Sequence, residues 1–263
     1  MVIDYTGNMF QPLTQTACIL LFSLKILFPG ESLYLPAHIV TDALFSYPGY
    51  TLQYNERFEQ ADWVAYELTK EEVYSTVAKR TDKFKSDPKI PTGSATDKDY
   101  QKSGYDRGHL APAADMKFSV EAMNSCFLYS NMSPQNPSFN RGIWSSLESI
   151  VRSWAVENQA VFVVTGPVLN KKEYPSIGPN QVAVPEYFFK VILDYRDPII
   201  KGIAFIIPNA KPNHSLIYYV CTINKVEEIT GIDFFPRLPD SEEEYLESTS
   251  DPLQWPFTEF DRE

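Results

Sequence analysis

The sequence predicts an α+β domain with a mostly antiparallel central sheet, flanked by helices and long loops. Short apolar, β-rich runs recur along the chain, and only one long stretch has clear helical periodicity. The 20 prolines, against 11 glycines, indicate many loops and strand ends. Many strands and few helices, joined by irregular loops, are typical of this fold class. With 263 residues, 44% of them hydrophobic, the chain can bury a substantial core.

The first predicted strand is Trp63–Leu68, and Thr69–Glu72 after it is typical of a helix start. Residues 81–105 are polar and contain prolines and glycines, so they predict a long loop. A loop of that length inside a domain is usually functional. The remaining predicted strands are Cys126–Ser130, Ala160–Thr165, Tyr187–Leu193, Gly202–Ile207 and Leu216–Ile223.

One helix is predicted between Arg141 and Glu157. Four of its apolar residues fall within a narrow arc at 100° per residue: Ile143, Leu147, Ile150 and Trp154. Beside this arc, Asn140, Glu148 and Arg152 lie on a slanting ridge of residues spaced four apart. Such a ridge can present an amide, a carboxylate and a guanidinium to one cleft. The alternative is a solvated helix edge with a Glu148–Arg152 ion pair.

The charge distribution bears on possible partners. A net charge of -11 alone argues against a nucleic-acid partner, which favours basic surfaces. Residues 233–263, however, carry ten acidic residues against two arginines, whereas residues 79–107 carry eight lysines or arginines against five aspartates. An ordinary solvated loop is the alternative for the basic segment. We expect residues 1–35 to be an N-terminal arm or export signal, 36–240 a single domain, and 241–263 an acidic tail.

The N-terminus gives an ambiguous signal. Residues 17–28 are apolar apart from Ser23 and Lys25, which is too short and interrupted for a membrane span. Their length suits a signal-peptide core, but Asp4 precedes them instead of a basic residue, and a peripheral helix is the alternative. We expect a secreted or periplasmic protein without stable membrane insertion. The three widely spaced cysteines indicate neither a zinc site nor a disulfide framework.

The most informative segment is Gly104–Asp115, with the sequence GYDRGHLAPAAD. It places His109, one of only three histidines, beside Arg107 in a turn-rich stretch. A lone histidine is more often structural, but an imidazole with a pKa of about 6.5 can also accept a proton at working pH. Downstream the chain adds two amides, a carboxylate and a guanidinium: Asn131, Asn140, Glu148 and Arg152. Phosphodiester hydrolysis needs a base, oxygen ligands for Mg²⁺ and cations for the phosphate.

The DRGH sequence at Asp106–His109 resembles the signature of the DNA/RNA non-specific endonucleases, the ββα-metal nucleases that include endonuclease G. The similarity covers roughly Asp62 to Pro239 in six separate blocks that occur in order. Tyr129–Gln135 resembles the second block and Asn140–Arg152 the metal-binding helix. The later blocks are Thr165–Pro167, Val184–Val191 and Thr230–Pro239. The resemblance implies a ββα-metal, or His-Me finger, nuclease fold.

The resemblance also implies a role for each matching residue. His109 would be the general base, and Asn140 the only direct protein ligand of Mg²⁺, with Mn²⁺ as a substitute. Glu148 would hold the cation through a water molecule, and Asn131 would orient the histidine or the phosphate. Three arginines would contact the phosphate: Arg80, Arg107 and Arg152. Contacts to phosphate and sugar alone would make cleavage independent of base sequence.

We therefore expect a metal-dependent endonuclease that cleaves DNA and RNA and leaves 5′-phosphates, with a homodimer as an allowed assembly. The alternative is a catalytically silent module of the same fold that binds nucleic acid or a protein. The hydrolytic mechanism predicts a rate that rises as pH passes upward through the histidine pKa. It also requires His109 and Asn140, 31 positions apart, to converge.

Overall fold

The computed structural model describes residues 34–37 and 43–257. Its strands are β1 (Leu44–Tyr47), β2 (Tyr50–Asn55), β3 (Gln60–Thr69), β4 (Asp106–His109), β5 (Met132–Gln135), β6 (Ala160–Pro167), β7 (Ser176–Ile177), β8 (Val182–Ala183), β9 (Tyr187–Asp194), β10 (Lys201–Pro208) and β11 (Val220–Cys221). Its α-helices are α1 (Lys70–Tyr74), α2 (Asp97–Tyr100), α3 (Val120–Ser125), α4 (Ser145–Glu157), α5 (Ile223–Thr230) and α6 (Asp240–Ser248).

Seven of these strands form one antiparallel sheet in the order β1-β2-β3-β6-β9-β10-β11. Both faces are covered, because alternate residues of the central strands enter two separate hydrophobic clusters. Phe188 and Ile192 of β9 pack with α4 on one face, whereas Phe189 and Val191 pack with α5 and α6 on the other. This arrangement explains why these strands are apolar without a polar alternation.

A ββα unit lies on the α4 side of the sheet. Strands β4 and β5 form a separate antiparallel pair, in which His109 faces Met132. A π-helical turn, Phe139–Trp144, follows and is kinked at Gly142 before α4 begins. The four residues of the predicted apolar arc are all buried, which confirms the helix and its buried face. The α+β class and the ββα-metal fold are therefore confirmed.

Most predicted strands are also confirmed, but two are wrong. Trp63–Leu68 lies in β3, and a capping box on Thr69 starts α1 as expected. Cys126–Ser130, predicted as a strand, instead follows α3 and enters a 3-10 turn at Tyr129–Asn131. Leu216–Ile223 is mainly a 3-10 turn, with only Val220–Cys221 in a strand. Short apolar runs fit either a strand or a buried turn, so periodicity alone could not separate the two.

The acidic C-terminal segment packs against the domain. Helix α6 buries Leu246 against the sheet, and Trp255 lies 4.8 Å from Trp154 between ring centroids. The indole Nε1 of Trp154 also donates to the carbonyl oxygen of Pro256. The segment expected to be an acidic tail therefore contributes to the core up to Phe257. None of the helices in the described ranges is both long and apolar enough to cross a membrane.

Candidate active site

His109 ends β4, and its imidazole is enclosed by two aromatic rings. The ring centroid of Phe127 lies 4.9 Å away and that of Phe84 5.7 Å away. The side chain is buried, and Nε2 has no hydrogen-bond partner among the described residues. An unpartnered buried nitrogen is costly in a structural histidine, so it indicates a partner supplied by water or substrate. The preceding Gly108 is needed for space, since a Cβ there would meet the side chain of Gln135 at 2.2 Å.

Two arginines stack on the rings that hold the imidazole. The guanidinium of Arg107 lies 4.2 Å from the Phe84 centroid, and that of Arg80 lies 5.2 Å from the Phe127 centroid. Both are tethered by exposed carboxylates: Arg107 donates to Asp97 at 2.9 Å, and Arg80 to Asp82 at 2.7 Å. Exposed ion pairs of this kind are weak, so a phosphate can displace either carboxylate. The structure thus brings two of the three predicted phosphate ligands to the predicted base.

The surroundings of His109 keep its imidazole neutral. Burial, and then the positive charge of Arg80, lower its pKa to about 3. Protonation would place a charge in an apolar pocket beside two guanidinium groups. The imidazole is therefore neutral over the whole range in which histidine normally titrates. The expected rise of the rate through an ordinary histidine pKa is not supported by this geometry.

Asn140 is held by the first residue of the DRGH strand. Its Nδ2 donates to Oδ2 of Asp106 at 3.0 Å, and Arg141 donates to both oxygens of the same carboxylate. Burial raises the pKa of Asp106, but these hydrogen bonds outweigh that effect and lower the pKa below its ordinary value. An ionised carboxylate only accepts, so the amide nitrogen must face it and Oδ1 of Asn140 is left for another partner. Asn140 and His109 are thereby attached to the two ends of β4.

Glu148 and Arg152 lie one turn apart on α4, above a buried group of charges. Among the described ion pairs Arg152 binds Asp115, with 3.0 Å between Nη1 and Oδ1, and does not form the alternative pair with Glu148. Asp115 is buried and also accepts from the Tyr66 hydroxyl at 2.9 Å. Burial raises the pKa of Glu148, and the positive charge of Lys190 opposes this shift. The buried Asp115 carboxylate therefore holds the Arg152 guanidinium in place.

Lys190 is the buried cation of this group. Only 1% of the residue is exposed, although it lies in the middle of β9. Its Nζ donates to Oγ1 of Thr165 at 3.1 Å and lies 4.6 Å from the ring centroid of Trp144. The nearby Glu148 and Asp115 carboxylates favour its charged form, but burial lowers its pKa below the ordinary value. The charges beneath the site thus stabilise one another in a region with little solvent.

Asn131 lies beneath the site and does not reach solvent. Its amide joins the segment after His109 to the end of α3: Oδ1 accepts from Ala111 N at 2.9 Å, and Nδ2 donates to the carbonyls of Ala111 and Cys126. The residue is 0% exposed. Of the two roles expected for Asn131, this placement is compatible with orienting the histidine segment and not with a phosphate contact.

The donors at the site fit a hard divalent cation. A free amide oxygen on Asn140 and the carboxylate of Glu148 are oxygen ligands of the kind that Mg²⁺ prefers. A second group with metal-site spacing in the described chain consists of Glu227, Asp233 and Glu247, whose ligand atoms lie within 4.8 Å of one another. That group belongs to α5, α6 and the loop between them, on the opposite face of the sheet. It is separate from the DRGH site.

Residues 35–241 match the family described as DNA/RNA non-specific endonuclease. The chain belongs to that family. It is 35% identical over 208 residues to human "Endonuclease G, mitochondrial", covering 74% of this chain and 70% of the relative. It is also 35% identical over 207 residues to "Nuclease EXOG, mitochondrial" of Danio rerio, covering 73% of this chain. The matched region spans only 60% of that EXOG relative.

A solved structure of the family has the same fold. The crystal structure of the EndoG/EndoGI complex matches with a TM-score of 0.71 and 32% identity, over 77% of this chain and 89% of that chain. A yeast relative, from Saccharomyces cerevisiae, is named "Mitochondrial nuclease" and is 36% identical, covering 73% of this chain and 65% of the relative. These names contradict the expected secreted or periplasmic location. An apolar N-terminal run does not by itself specify a compartment, and residues 1–33 lie outside the described residues.

Sequence reasoning assigned no role to several residues that contact the predicted site residues in the structure. Asp106 and Asp115 both lie within the quoted motif, but only the structure shows that they hold Asn140 and Arg152. Asp97 restrains Arg107 from a separate loop helix, which no local pattern indicates. Lys190 did leave a signal, because a lysine inside the apolar run FFKVIL of a central strand requires buried acidic partners.

Proposed function

We propose that this protein is a Mg²⁺- or Mn²⁺-dependent endonuclease that hydrolyses DNA and RNA without sequence preference. The observation that carries the proposal is the imidazole of His109, which is enclosed by two phenyl rings that each carry an arginine. A base that stays neutral among cations suits a polyanionic substrate, whose phosphate the same cations attract. Membership of the family and the nuclease names of the relatives support this choice.

In the proposed reaction each residue performs one step. His109 accepts the proton of the attacking water at its unpartnered Nε2. Arg107 and Arg80 leave their exposed carboxylate partners and donate to the phosphate oxygens. Arg152, held by Asp115, donates to the same phosphate from the α4 side as its negative charge increases. These contacts reach phosphate and not base edges, which makes cleavage independent of sequence.

Asn140, through Oδ1, and Glu148, through a water molecule, would hold the divalent cation. When bound, the cation supplies positive charge to the scissile phosphate and to the leaving oxygen. Asp106 keeps the amide of Asn140 oriented, and Lys190 keeps a positive charge close to Glu148. Such supporting contacts commonly change metal affinity by about 10- to 100-fold when removed.

Digestion of supercoiled plasmid and of single-stranded RNA, with Mg²⁺ or with EDTA, tests the proposal. We expect cleavage only with the cation, and a loss of about 10²- to 10⁴-fold in the rate for His109→Ala. His214→Ala is the matched control, since His214 is exposed on a distant loop, and it should retain activity. Cleavage in EDTA, or a fully active His109→Ala protein that is correctly folded, would contradict the mechanism. A wild type that binds DNA without cutting it would instead be the silent module.

The ends of the fragments provide a separate test of the chemistry. Attack by water with the 3′-oxygen as leaving group produces 5′-phosphates. Polynucleotide kinase should then label the fragments only after phosphatase treatment. Labelling without phosphatase would mean that the opposite P–O bond is broken.

We also propose that the protein acts in mitochondria, because EXOG, endonuclease G and the yeast relative are all named as mitochondrial. A fluorescent fusion of the full chain should overlap a mitochondrial marker. A uniformly extracellular signal would contradict this location.

A further inference from the structure

A groove lies between α1 and α4. Its volume is about 500 Å³. Tyr74 lines it from the end of α1, Lys117 from the loop before α3, and Arg152 and Glu157 from α4. We call it the α1–α4 groove.

The α1–α4 groove shares one residue, Arg152, with the predicted site. On α4, Ser149, Arg152 and Ser153 are spaced i, i+3, i+4, so they share the helix face that forms the groove floor. Arg152 is also the residue that Asp115 holds for the proposed phosphate contact. Arg152 therefore lines the groove and is also a proposed phosphate ligand, so a strand whose phosphate reaches Arg152 can continue into the groove.

The lining of the groove has the chemistry of a nucleotide subsite. Tyr74 is 65% exposed, which leaves its ring available for stacking. Lys117 forms no ion pair within the described part of the chain, and its carbonyl is fixed by the backbone N–H of Ala78 at 2.9 Å. A free ammonium and an exposed aromatic ring are the two elements that bind single-stranded nucleic acid without sequence preference.

The far end of the groove limits what it can hold. Glu157 lies there, exposed and negatively charged, and repels a further phosphate. From Arg152 to Glu157 the helix rises about 7.5 Å. The groove therefore suits one nucleotide beside the cleaved bond and not a long track of nucleic acid.

We propose that the α1–α4 groove binds the nucleotide adjacent to the scissile phosphate, with its base stacked on Tyr74 and its phosphate on Lys117. The inference rests on the proposed nuclease function and adds a subsite to it. Because neither contact reads a base edge, the subsite favours any nucleotide over an abasic one without selecting a sequence.

Two single-stranded substrates of equal length test the subsite: an oligothymidylate, and the same chain with abasic residues in place of every nucleotide. For Tyr74→Ala we expect KM for oligothymidylate to rise between about fivefold and a hundredfold, with kcat unchanged. Tyr74→Phe should retain the wild-type KM, and neither variant should change cleavage of the abasic chain. Lys117→Ala should weaken the binding of both substrates. It should also reduce the number of ions released on binding, measured from the salt dependence of the affinity, by about one. Tyr245→Ala and Lys172→Ala, at exposed positions elsewhere, should leave all values unchanged.

Binding measured in a His109→Ala background separates this inference from the proposed function. Fluorescence anisotropy of labelled oligothymidylate should show the same loss of affinity on adding Tyr74→Ala. If the wild type cleaves DNA but Tyr74→Ala changes KM equally for both substrates, or for neither, the subsite is refuted and the nuclease function stands. If the wild type does not cleave, the nuclease function fails, and the binding assay still decides whether Tyr74 contacts a base.

Discussion

Lowering the pH should destabilise this protein through His109 in particular. The folded imidazole has a pKa of about 3, whereas the unfolded one titrates near 6.5. Below pH 6.5 the His109 imidazole therefore binds a proton in the unfolded chain but not in the folded chain. A depressed folded pKa of this kind contributes stability that is complete above pH 6.5 and is lost as the pH falls towards 3.

The magnitude follows from the two pKa values. Each pH unit between them changes the free energy of unfolding by about 1.4 kcal/mol. From pH 6.5 to pH 5 the interval is about 1.5 units, so His109 should account for a loss of about 2 kcal/mol. His109 is 9% exposed, so little solvent screening reduces this value.

Urea unfolding of the wild type and of His109→Gln, at pH 7 and pH 5 in EDTA, measures the effect. Other groups that titrate in this interval, such as Asp194 with a pKa of about 6, are present in both proteins and cancel in the difference. The wild type should lose about 2 kcal/mol more than the variant on going to pH 5. Equal losses in the two proteins would show that the imidazole is not held neutral by its surroundings.

Three further predictions concern supporting residues. Asp106→Leu should raise the Mg²⁺ concentration for half-maximal cleavage by about 10- to 100-fold, because the Asn140 amide, the proposed metal ligand, loses its orienting carboxylate; a metal titration with an unchanged midpoint would contradict this. Lys190→Met should lower the free energy of unfolding by about 3–5 kcal/mol in urea, and adding Glu148→Gln should recover part of it if the two charges stabilise each other. Trp255→Ala should cost about 3–5 kcal/mol in thermal unfolding, because its ring packs on Trp154 in the core; a cost near zero would make the C-terminal segment an independent tail.

The motifs could be predicted from sequence because they are local. DRGH at Asp106–His109 lies on β4 and was identified by its resemblance to the family signature. Glu148 and Arg152 lie on α4, which helical periodicity predicts, whereas Asn140 lies in the π-helical turn before it. The apolar central strands were equally clear, since both faces of the sheet are covered. By contrast, the Cys126–Ser130 run has the composition of a strand but forms the end of a helix and a turn, and its apolar composition reflects the burial of that turn.

The sequence by itself determined which groups are available for chemistry: one histidine in a motif, amides, carboxylates and arginines in the order of a nuclease family. Only the tertiary structure decided their states. The pKa of His109 depends on Phe84 and Phe127, and the direction of the Asn140 amide depends on Asp106, 34 positions earlier. Burial and orientation arise from residues distant in sequence, and a local pattern carries no information about the dielectric or the hydrogen-bond partner that surrounds a side chain.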